Sequence, residues 1–541
     1  MNLKKFKKND IFFILMNKIN QKIILFFLFS FSIYCALAIG ESWDERVNLI
    51  QGKITLDYLF SLGKIDRDLL YRENYSAIYW ALSYLITKQF PLQYQFEISH
   101  LINLFFSLGA IIGIGKLGSE LFNKKVGKII FIILFFYPIF FGHMAINSKD
   151  TILAFSHIWI TCLLFKYLKK QNLSKKTNKY IFYLAILAAM ATGIQLAFLG
   201  ALLPVILFIL IDIYFLKNII TKKFSNKKFL FDIIKSFAIF YILLIIFWID
   251  THQNILISPF NIFVGTIIDY PTGYPFNLIN GNYYISNEVP KYYLILSIFF
   301  KSPEYIFICY FLFLIFLLKS KNFFEERFTL FGYKISLIVT ILIFPNIILL
   351  FVPYPIYDGI RLFLWSLPYI CVIPGLVIYY LIENYKYRVI KIMSLILSLF
   401  IFYFLFNFFS ITPYQYTYLN LFNGEKEKRY KKFENDYWGA SMKELINRAD
   451  FKTEGNLLLA VCGIDAALPK YYLNRKVKNN FKFVSTNEAD FIIMTNRVVL
   501  DHNQVNEIPK LTNCFDKFKG SDISKVERNG LLLSVIRKTI N

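Results

Sequence analysis

Residues 22–48 read KIILFFLFSFSIYCALAIGESWDERVN, a long apolar run that ends abruptly in charged side chains. The run has roughly the length that one helix needs to cross a bilayer. Similar runs recur along the 541 residues, of which 56% are hydrophobic and 19% aromatic, and the mean hydropathy is +0.48. This is more apolar surface than one soluble core needs, so the sequence predicts a polytopic α-helical membrane protein.

The apolar runs predict about eleven transmembrane helices of roughly 16–22 residues each. The first apolar run is longer than the core of a signal peptide, so we expect that helix to be retained. The predicted spans are residues 22–40, 98–118, 127–142, 151–168, 180–197, 199–216, 230–249, 304–318, 335–352, 362–382 and 392–410.

The net charge of +24 is explained mainly by topology. The basic residues punctuate the apolar runs and do not gather on one domain or helix face, which argues against nucleic acid as a partner. If each lysine cluster is cytoplasmic, every second loop lies inside, the N-terminus is inside, and everything after residue 411 is outside. A contribution from anionic lipids stays open.

Two domains are predicted. Residues 1–411 form a transmembrane domain with outer loops at 41–97, which holds interfacial helices, and at 251–303. Residues 412–541 contain short apolar strands such as NLLLAVCG and DFIIMTN between helical segments, which predicts a small α/β domain on the outer face, with docking or acceptor recognition as its simplest role. The six cysteines show no metal-ligand spacing, but Cys462 and Cys514 of this domain could pair.

Acidic residues follow the membrane spans at two matching places. Asp44 and Glu45 come directly after the first span, and Asp150 lies where another span meets the same face. Carboxylates at one depth can share a metal or divide into a base and an orienting group. The alternative is that they are solvated helix ends, and Asp150 also suits the first turn of a helix.

Several stretches resemble one family. WDE after the first span, the acidic turn after the third and the long aromatic first outer loop are similar to the GT-C superfamily of membrane glycosyltransferases, in the branch of protein O-mannosyltransferases and lipid A aminoarabinose transferases. Further stretches resemble a bacterial subgroup over most of residues 40–450. They are GHMAINSKDTILAF (142–155), FNLINGNYYISNEVPKYYL (276–294), YDGIRLFLWSLP (357–368), TPYQYTYLN (412–420) and FENDYWGASMKEL (433–445).

The resemblance implies a sugar donor linked to an isoprenoid phosphate and a carboxylate base in the first outer loop. Carried over, Asp44 is the base with Glu45 beside it, and Asp150 matches the second acidic position. Two departures from the family pattern put single contacts in doubt. Arg46 follows Glu45 directly with no tyrosine after it, and Gln195 stands where an arginine is expected in related bacterial sequences.

Physical chemistry supports a base at this depth. A lipid-linked sugar keeps its head just outside the hydrocarbon, so the attacking hydroxyl must lose its proton there. Positive charge then grows on the sugar and negative charge on the phosphate, which cations stabilise. The candidate phosphate-binding residues are Arg46, Lys53, Lys291, Lys301 and Arg361. We favour Arg361 for its planar guanidinium, with snorkelling at the interface as the alternative.

Metal binding is left unknown. His100 and His143 are each isolated, so we interpret them as hydrogen-bonded structural residues and not as ligands. A divalent cation would suit paired carboxylates, but nothing in the sequence requires one, so the cofactor is unknown as well.

The sequence as a whole therefore predicts a membrane glycosyltransferase that moves a hexosyl or pentosyl group from a polyprenyl-phosphate donor to an acceptor hydroxyl on a glycan, lipid or protein. We expect a multi-pass protein of a bacterial inner membrane with its site facing the periplasm. A polyprenyl-linked flippase and a non-catalytic membrane subunit are the alternatives, although spans nearly free of charge argue against ion coupling. Donor sugar, acceptor, stereochemistry and oligomeric state do not follow from the sequence.

Overall fold

The computed structural model of the chain describes residues 18–64, 75–172, 177–268, 273–352, 354–451, 456–477, 480–501 and 510–540. Helices dominate as far as residue 410, and strands follow. The helices are α1 (Lys18–Ala38), α2 (Glu45–Phe60), α3 (Ile78–Thr87), α4 (Gln95–Leu121), α5 (Lys124–Phe135), α6 (Pro138–His143), α7 (Asp150–Lys170), α8 (Thr177–Ile194), α9 (Phe198–Ala201), α10 (Leu203–Ile211), α11 (Asn226–Ile246), α12 (Ser258–Ile268), α13 (Tyr293–Lys301), α14 (Glu304–Arg327), α15 (Phe331–Phe351), α16 (Leu367–Ile370), α17 (Val372–Glu383), α18 (Arg388–Ser410), α19 (Met442–Arg448), α20 (Ala467–Lys476) and α21 (Cys514–Lys517).

Nine helical segments within the described ranges are long and apolar enough to cross a membrane. The predicted class of a polytopic helical membrane protein is thereby confirmed. The predicted span 127–142 is divided into α5 and α6, because the residue before Pro138 is disfavoured in a helix and proline suits the first helical position. The predicted span 180–197 corresponds to α8, which has 18 residues.

The two long loops predicted on the outer side, 41–97 and 251–303, are folded and not extended. The first contains α2 and α3, and its residues 65–74 lie outside the described part of the chain. The second contains α12, α13 and an antiparallel hairpin of β1 (Phe276–Ile279) and β2 (Asn282–Ile285). Asn280 and Gly281 connect the two strands with positive φ angles, as a tight hairpin turn requires.

The C-terminal region contains the predicted small α/β unit. Its strands are β3 (Leu457–Cys462), β4 (Phe481–Phe483), β5 (Phe491–Thr495), β6 (Val498–Asp501), β7 (Lys510–Asn513), β8 (Gly520–Arg528) and β9 (Leu531–Thr539). A five-stranded sheet has the order β4-β3-β5-β9-β8, parallel around β3 and antiparallel around β9. Cys462 and Cys514 form a disulfide beside the ends of β3 and β7.

The chain turns predicted on one side of the membrane converge in the structure. The end of α1, the starts of α7 and of the helical segment Arg361–Glu383, and the ends of α8 and α15 border a single cavity. The loop between β5 and β6 reaches the same cavity from the C-terminal unit. The fold therefore gathers residues that are far apart in sequence at one end of the helix bundle.

Candidate active site

The cavity has a volume of about 920 Å³ and two chemically different parts. One group of lining residues is apolar and comes from α12, α15 and the turn after α8. It includes Leu196, Ala197, Phe263, Ile348 and Val352. The other group of lining residues is charged or aromatic and comes from several separate parts of the chain. Its members are Trp43, Asp44, Tyr75, Lys149, Tyr274, Tyr354, Tyr357, Asp358, Arg361, Tyr437 and Arg497. A ligand with an apolar tail and an anionic, polar head would match both parts.

Asp44 is the predicted base that lines this cavity. It is the residue before α2 and is half-buried. Its segment is fixed on both sides, because Gly40 N donates to Ala440 O at 3.0 Å and Trp43 N donates to Trp438 O at 3.0 Å. The backbone that carries Asp44 is thus held in place just beyond the end of a membrane helix.

Asp358 links two arginines at the polar end of the cavity. Arg361 Nη1 donates to its Oδ2 at 2.9 Å, and Arg497 Nη1 donates to its Oδ1 at 2.8 Å. All three side chains are buried. Asp358 has a φ of +58° and precedes Gly359 at +70°, and this turn directs the carboxylate between the two cations.

Arg497 had no role in the sequence prediction. It follows β5, and its Nη2 donates to Tyr437 O at 2.8 Å while its guanidinium lies 3.8 Å from the centre of the Tyr274 ring. Burial lowers the pKa of Arg497, but Asp358 and Glu434 raise it further, so the net shift is upward. The C-terminal region therefore places a permanent cation, together with the Tyr437 ring, in a cavity that the membrane helices and their connecting loops also line.

Lys149 was also missed, although it adjoins Asp150 in the quoted NSKD turn. Its Nζ donates to the Tyr75 hydroxyl at 2.7 Å, and it lines the cavity. Burial acts to lower the pKa of Lys149, but Tyr75, Tyr357 and Asp150 raise it above the ordinary value. The ammonium group is therefore charged at neutral pH.

Asp150 lies behind Arg361 and is not among the cavity-lining residues. Its Oδ2 is 3.4 Å from Arg361 Nε and accepts a hydrogen bond from Asn147 Nδ2 at 2.9 Å. The two acidic segments are in contact, because Asn48 Nδ2 donates to Ser148 Oγ at 3.1 Å. This geometry suits an orienting role for Asp150 toward Arg361.

Glu45 points to the other side of α2. It is 2% exposed, and its Oε2 lies 2.9 Å from His100 Nε2. Ser42 N also donates to this oxygen. Adjacent carboxylates in the sequence are thus separated in space, with Asp44 at the cavity and Glu45 in the protein interior.

Four of the five cations predicted for a phosphate lie outside the cavity lining. Arg46 makes two hydrogen bonds to Glu41 at 2.8 and 2.9 Å. Lys53 is exposed on α2, and Lys291 is exposed and donates to Leu350 O at 3.3 Å. Lys301 is buried among aromatic rings, and burial lowers its pKa to about 8. Arg361 alone of the five lines the cavity.

Gln195, which stands where related sequences suggested an arginine, lines the cavity beside the apolar wall. Its Oε1 is buried and has no hydrogen-bond partner among the described residues. A buried, unpaired amide oxygen is costly, so this atom is suited to accept a hydrogen bond from a ligand hydroxyl.

The two histidines weighed in the sequence have protein partners. His100 meets Glu45, and His143 Nε2 lies 2.9 Å from the Tyr437 hydroxyl. Within the described part of the chain, no group of three or more His, Cys, Asp or Glu side chains is placed to hold a metal ion.

Comparisons with known proteins give distant structural likenesses. No family model and no curated protein matches the sequence. The chain is similar to apo ArnT from Cupriavidus metallidurans, with a TM-score of 0.49 and 9% identity over 96% of this chain and 98% of ArnT. ArnT bound to undecaprenyl phosphate gives a TM-score of 0.46 and 9% identity over 95% of this chain and 98% of ArnT.

The chain is also similar to the archaeal oligosaccharyltransferase AglB from Archaeoglobus fulgidus in complex with an inhibitory peptide and a dolichol-phosphate. That likeness has a TM-score of 0.43 and 10% identity, and it covers 88% of this chain and 70% of AglB. Because all these likenesses are distant, the function proposed below rests on the geometry of the cavity. The fold and cavity define the class as a polytopic membrane protein with a charged site at one membrane face.

Proposed function

We propose that the protein is a membrane glycosyltransferase that moves a sugar from a polyprenyl-phosphate donor to an acceptor hydroxyl. One observation carries this proposal. Asp44 lines the same cavity as the cations Lys149, Arg361 and Arg497, and apolar side chains line that cavity as well. The resemblance of the sequence to GT-C transferases supports the same reaction.

The apolar wall suits the lipid part of the donor. Nearby side chains on the outer surface of the same helices are apolar and exposed, including Leu203 at 44%, Phe260 at 65% and Leu350 at 50%. In a membrane these surfaces contact lipid. A polyprenyl chain could therefore run along α10, α12 or α15 while its head occupies the polar part.

The cations suit the phosphate. Lys149, Arg361 and Arg497 lie around the polar part, and only Asp358 and Asp44 among the lining residues oppose their charge. A phosphate that gains negative charge as it leaves would be stabilised by these groups, which need little reorganisation because Arg361 and Arg497 are already held by Asp358. We therefore assign the phosphate to these three and not to Arg46, Lys53, Lys291 or Lys301.

The reaction then proceeds as a single displacement. The acceptor hydroxyl gives its proton to the Asp44 carboxylate, and the oxygen forms a bond to the anomeric carbon. The bond from that carbon to the phosphate oxygen breaks, and polyprenyl phosphate leaves with the electron pair. In this scheme Asp150 positions Arg361, and Glu45 fixes α2 so that Asp44 faces the cavity.

We also propose that residues 412–541 and the cavity face the extracytoplasmic side, for example the periplasm. The alternation of lysine-rich loops supports this orientation, and so does the Cys462–Cys514 disulfide, since disulfides persist in oxidising compartments. A reporter fused after Asn541 should be active only as an extracytoplasmic reporter. Activity of a strictly cytoplasmic reporter would reverse the orientation.

The test uses wild type and Asp44→Asn, purified in detergent and given radiolabelled polyprenyl-phosphate sugars with a membrane extract as acceptor. Asp57→Asn is the matched control, because Asp57 lies on the same helix α2 but outside the cavity. We expect Asp44→Asn to reduce transfer by about a hundredfold or more, since the substitution removes the base and keeps its shape.

Wild-type rates for Asp57→Asn together with a large loss for Asp44→Asn would support the proposal. Equal transfer by Asp44→Asn and wild type would remove Asp44 as the base. If wild type transfers label from no donor, the transferase proposal is contradicted and a flippase or accessory subunit becomes the better account.

A further inference from the structure

A second charged pocket lies at the opposite end of the helix bundle. Helix α7 starts at Asp150 beside the main cavity and ends after 21 residues at Lys170, which corresponds to about 30 Å. Lys169 of its last turn lines a small pocket of about 150 Å³ together with Lys334 at the start of α15. The two sites are thus separated by roughly the thickness of the hydrocarbon core.

The pocket brings two like charges together. Lys169 and Lys334 both line it and repel each other, and both are half-buried. In the part of the chain that the structure describes, no ion pair joins either ammonium group to a carboxylate. Two unneutralised cations in one partly dry pocket are unfavourable, so the arrangement is explained if an anion occupies the space between them.

The walls of the pocket are held in place by Asp212. Its Oδ1 accepts hydrogen bonds from Asn218 N at 2.9 Å and from the Tyr333 hydroxyl at 2.9 Å, and its Oδ2 accepts one from Ile219 N at 3.0 Å. The Asp212 carboxylate is therefore engaged by these donors. The Asn218 side chain and Thr329 remain on the lining and can hydrogen-bond to an anion.

The rim of the pocket is apolar and exposed. Leu330, which lines the pocket, is 42% exposed, and Phe215 and Leu216, which precede the lining residue Asn218 by two or three positions, are 79% and 48% exposed. Acyl chains could pack on these side chains while a headgroup enters the pocket. Phosphate is the anionic group that all common acidic membrane lipids share, and lysine pairs are suited to it.

We propose that Lys169 and Lys334 form a phosphate-binding site for the headgroup of a lipid in the leaflet opposite the catalytic cavity. This site does not depend on the proposed transferase reaction. Because both α7 and α15 extend from this pocket to the main cavity, an occupied site would also brace two walls of that cavity.

The test is native mass spectrometry of the purified chain with added phosphatidylglycerol, phosphatidylcholine or inorganic phosphate. Wild type is compared with Lys169→Gln/Lys334→Gln and with Lys170→Gln/Lys319→Gln, which removes one exposed lysine at the end of α7 and one on α14, both outside the pocket lining. We expect the pocket variant to bind phosphatidylglycerol about tenfold more weakly, and the control variant to bind it like wild type.

The charge-preserving variant Lys169→Arg/Lys334→Arg should retain binding, which separates charge from loss of packing. Binding of inorganic phosphate that depends on the same lysines, together with binding of phosphatidylglycerol, would support a phosphate site for a lipid headgroup, whereas binding of inorganic phosphate alone would identify free phosphate as the ligand and overturn the lipid assignment. Equal losses in the pocket and control variants, or no preference of wild type for phosphatidylglycerol over phosphatidylcholine, would overturn the proposal.

Discussion

The segment 40–44 after α1 and the loop 496–497 between β5 and β6 meet at one cavity but are held there by different means. The first is the direct continuation of a membrane helix, so its depth is set by that helix. The second is held by tertiary contacts, in which Arg497 binds Asp358 and Tyr437 O. The acid of this site thus takes its depth from a membrane helix and only additional support from the C-terminal region, whereas one of its cations depends entirely on the folding of that region.

The two regions also support each other. Trp438, which accepts the hydrogen bond from Trp43 N, follows Tyr437, which accepts the bond from Arg497. The short stretch Tyr437–Trp438 thus fixes both sides of the cavity. The two regions bind to different carbonyl groups of this stretch. A substitution of Arg497 therefore removes the bond to Tyr437 O and leaves the bond from Trp43 N to Trp438 O in place.

The largest effect expected on the C-terminal side comes from Arg497→Gln. We expect transfer to fall by about a hundredfold, because a buried cation toward the leaving phosphate is lost. Arg475→Gln is the matched control, since Arg475 belongs to the same unit but lies outside the cavity lining.

Loss of Arg497 also leaves Asp358 with one cation fewer, which could impair folding. The double variant Asp358→Asn/Arg497→Gln removes both charges and should fold better while transferring equally poorly. Transfer at the wild-type rate by Arg497→Gln would show that the C-terminal unit contributes only docking.

A smaller effect is expected from the disulfide. Cys514 N donates to Arg497 O at 3.0 Å, so the bond between Cys462 and Cys514 anchors the backbone that carries Arg497. We expect Cys462→Ser/Cys514→Ser to lower transfer by about tenfold, mainly through a higher KM for the donor.

A reducing agent should lower the activity of wild type and leave this double variant unchanged. In the Arg497→Gln background, loss of the disulfide should have little additional effect, because both changes act on the same cation. If the losses of transfer rate caused by Arg497→Gln and by removal of the disulfide multiply in the combined variant, the disulfide does not act through Arg497.

The smallest effect concerns stability and pH. Burial raises the pKa of Glu41, beside the first segment, and of Glu434, beside Arg497, to about 7 each. Between the ordinary pKa of a glutamate and this value the folded state binds more protons than the unfolded state. The free energy of unfolding should therefore fall as the pH rises from about 4.5 to 7 and change little above that.

Thermal unfolding in detergent measures Tm at pH 5 and at pH 7.5. We expect the fall in Tm between these two pH values to be smaller by about 2 °C in Glu41→Gln and in Glu434→Gln than in wild type. Glu488→Gln, an exposed glutamate of the C-terminal unit, should leave the slope as in wild type. An unchanged slope in both buried variants would contradict the raised pKa values.

The difference between the two regions also explains what the sequence could predict. Span lengths and lysine clusters predict which turns share a membrane face, so Asp44, Asp150 and Arg361 could be expected there. They do not report side-chain direction, and for that reason Glu45 and Arg46 were grouped with Asp44 although α2 turns them away. Lys149 could have been found by treating every cation in the predicted outer turns as a candidate.

Arg497 could not be found in this way. It follows an ordinary buried strand, and only the packing of the C-terminal sheet against residues 430–440 brings it to the cavity. The hairpin of β1 and β2 lies between these two extremes of predictability. Its Asn280–Gly281 turn is a local sequence pattern typical of a two-residue hairpin.

The central claim is that Asp44 removes a proton and does not merely bind the donor. The most direct measurement is a single-turnover experiment in which donor binding and sugar transfer are measured separately for wild type, Asp44→Asn and Asp57→Asn. The account predicts that Asp44→Asn binds donor within about twofold of wild type and transfers it about a hundredfold or more slowly, while Asp57→Asn matches wild type in both. A normal transfer rate with weakened donor binding in Asp44→Asn would contradict the account.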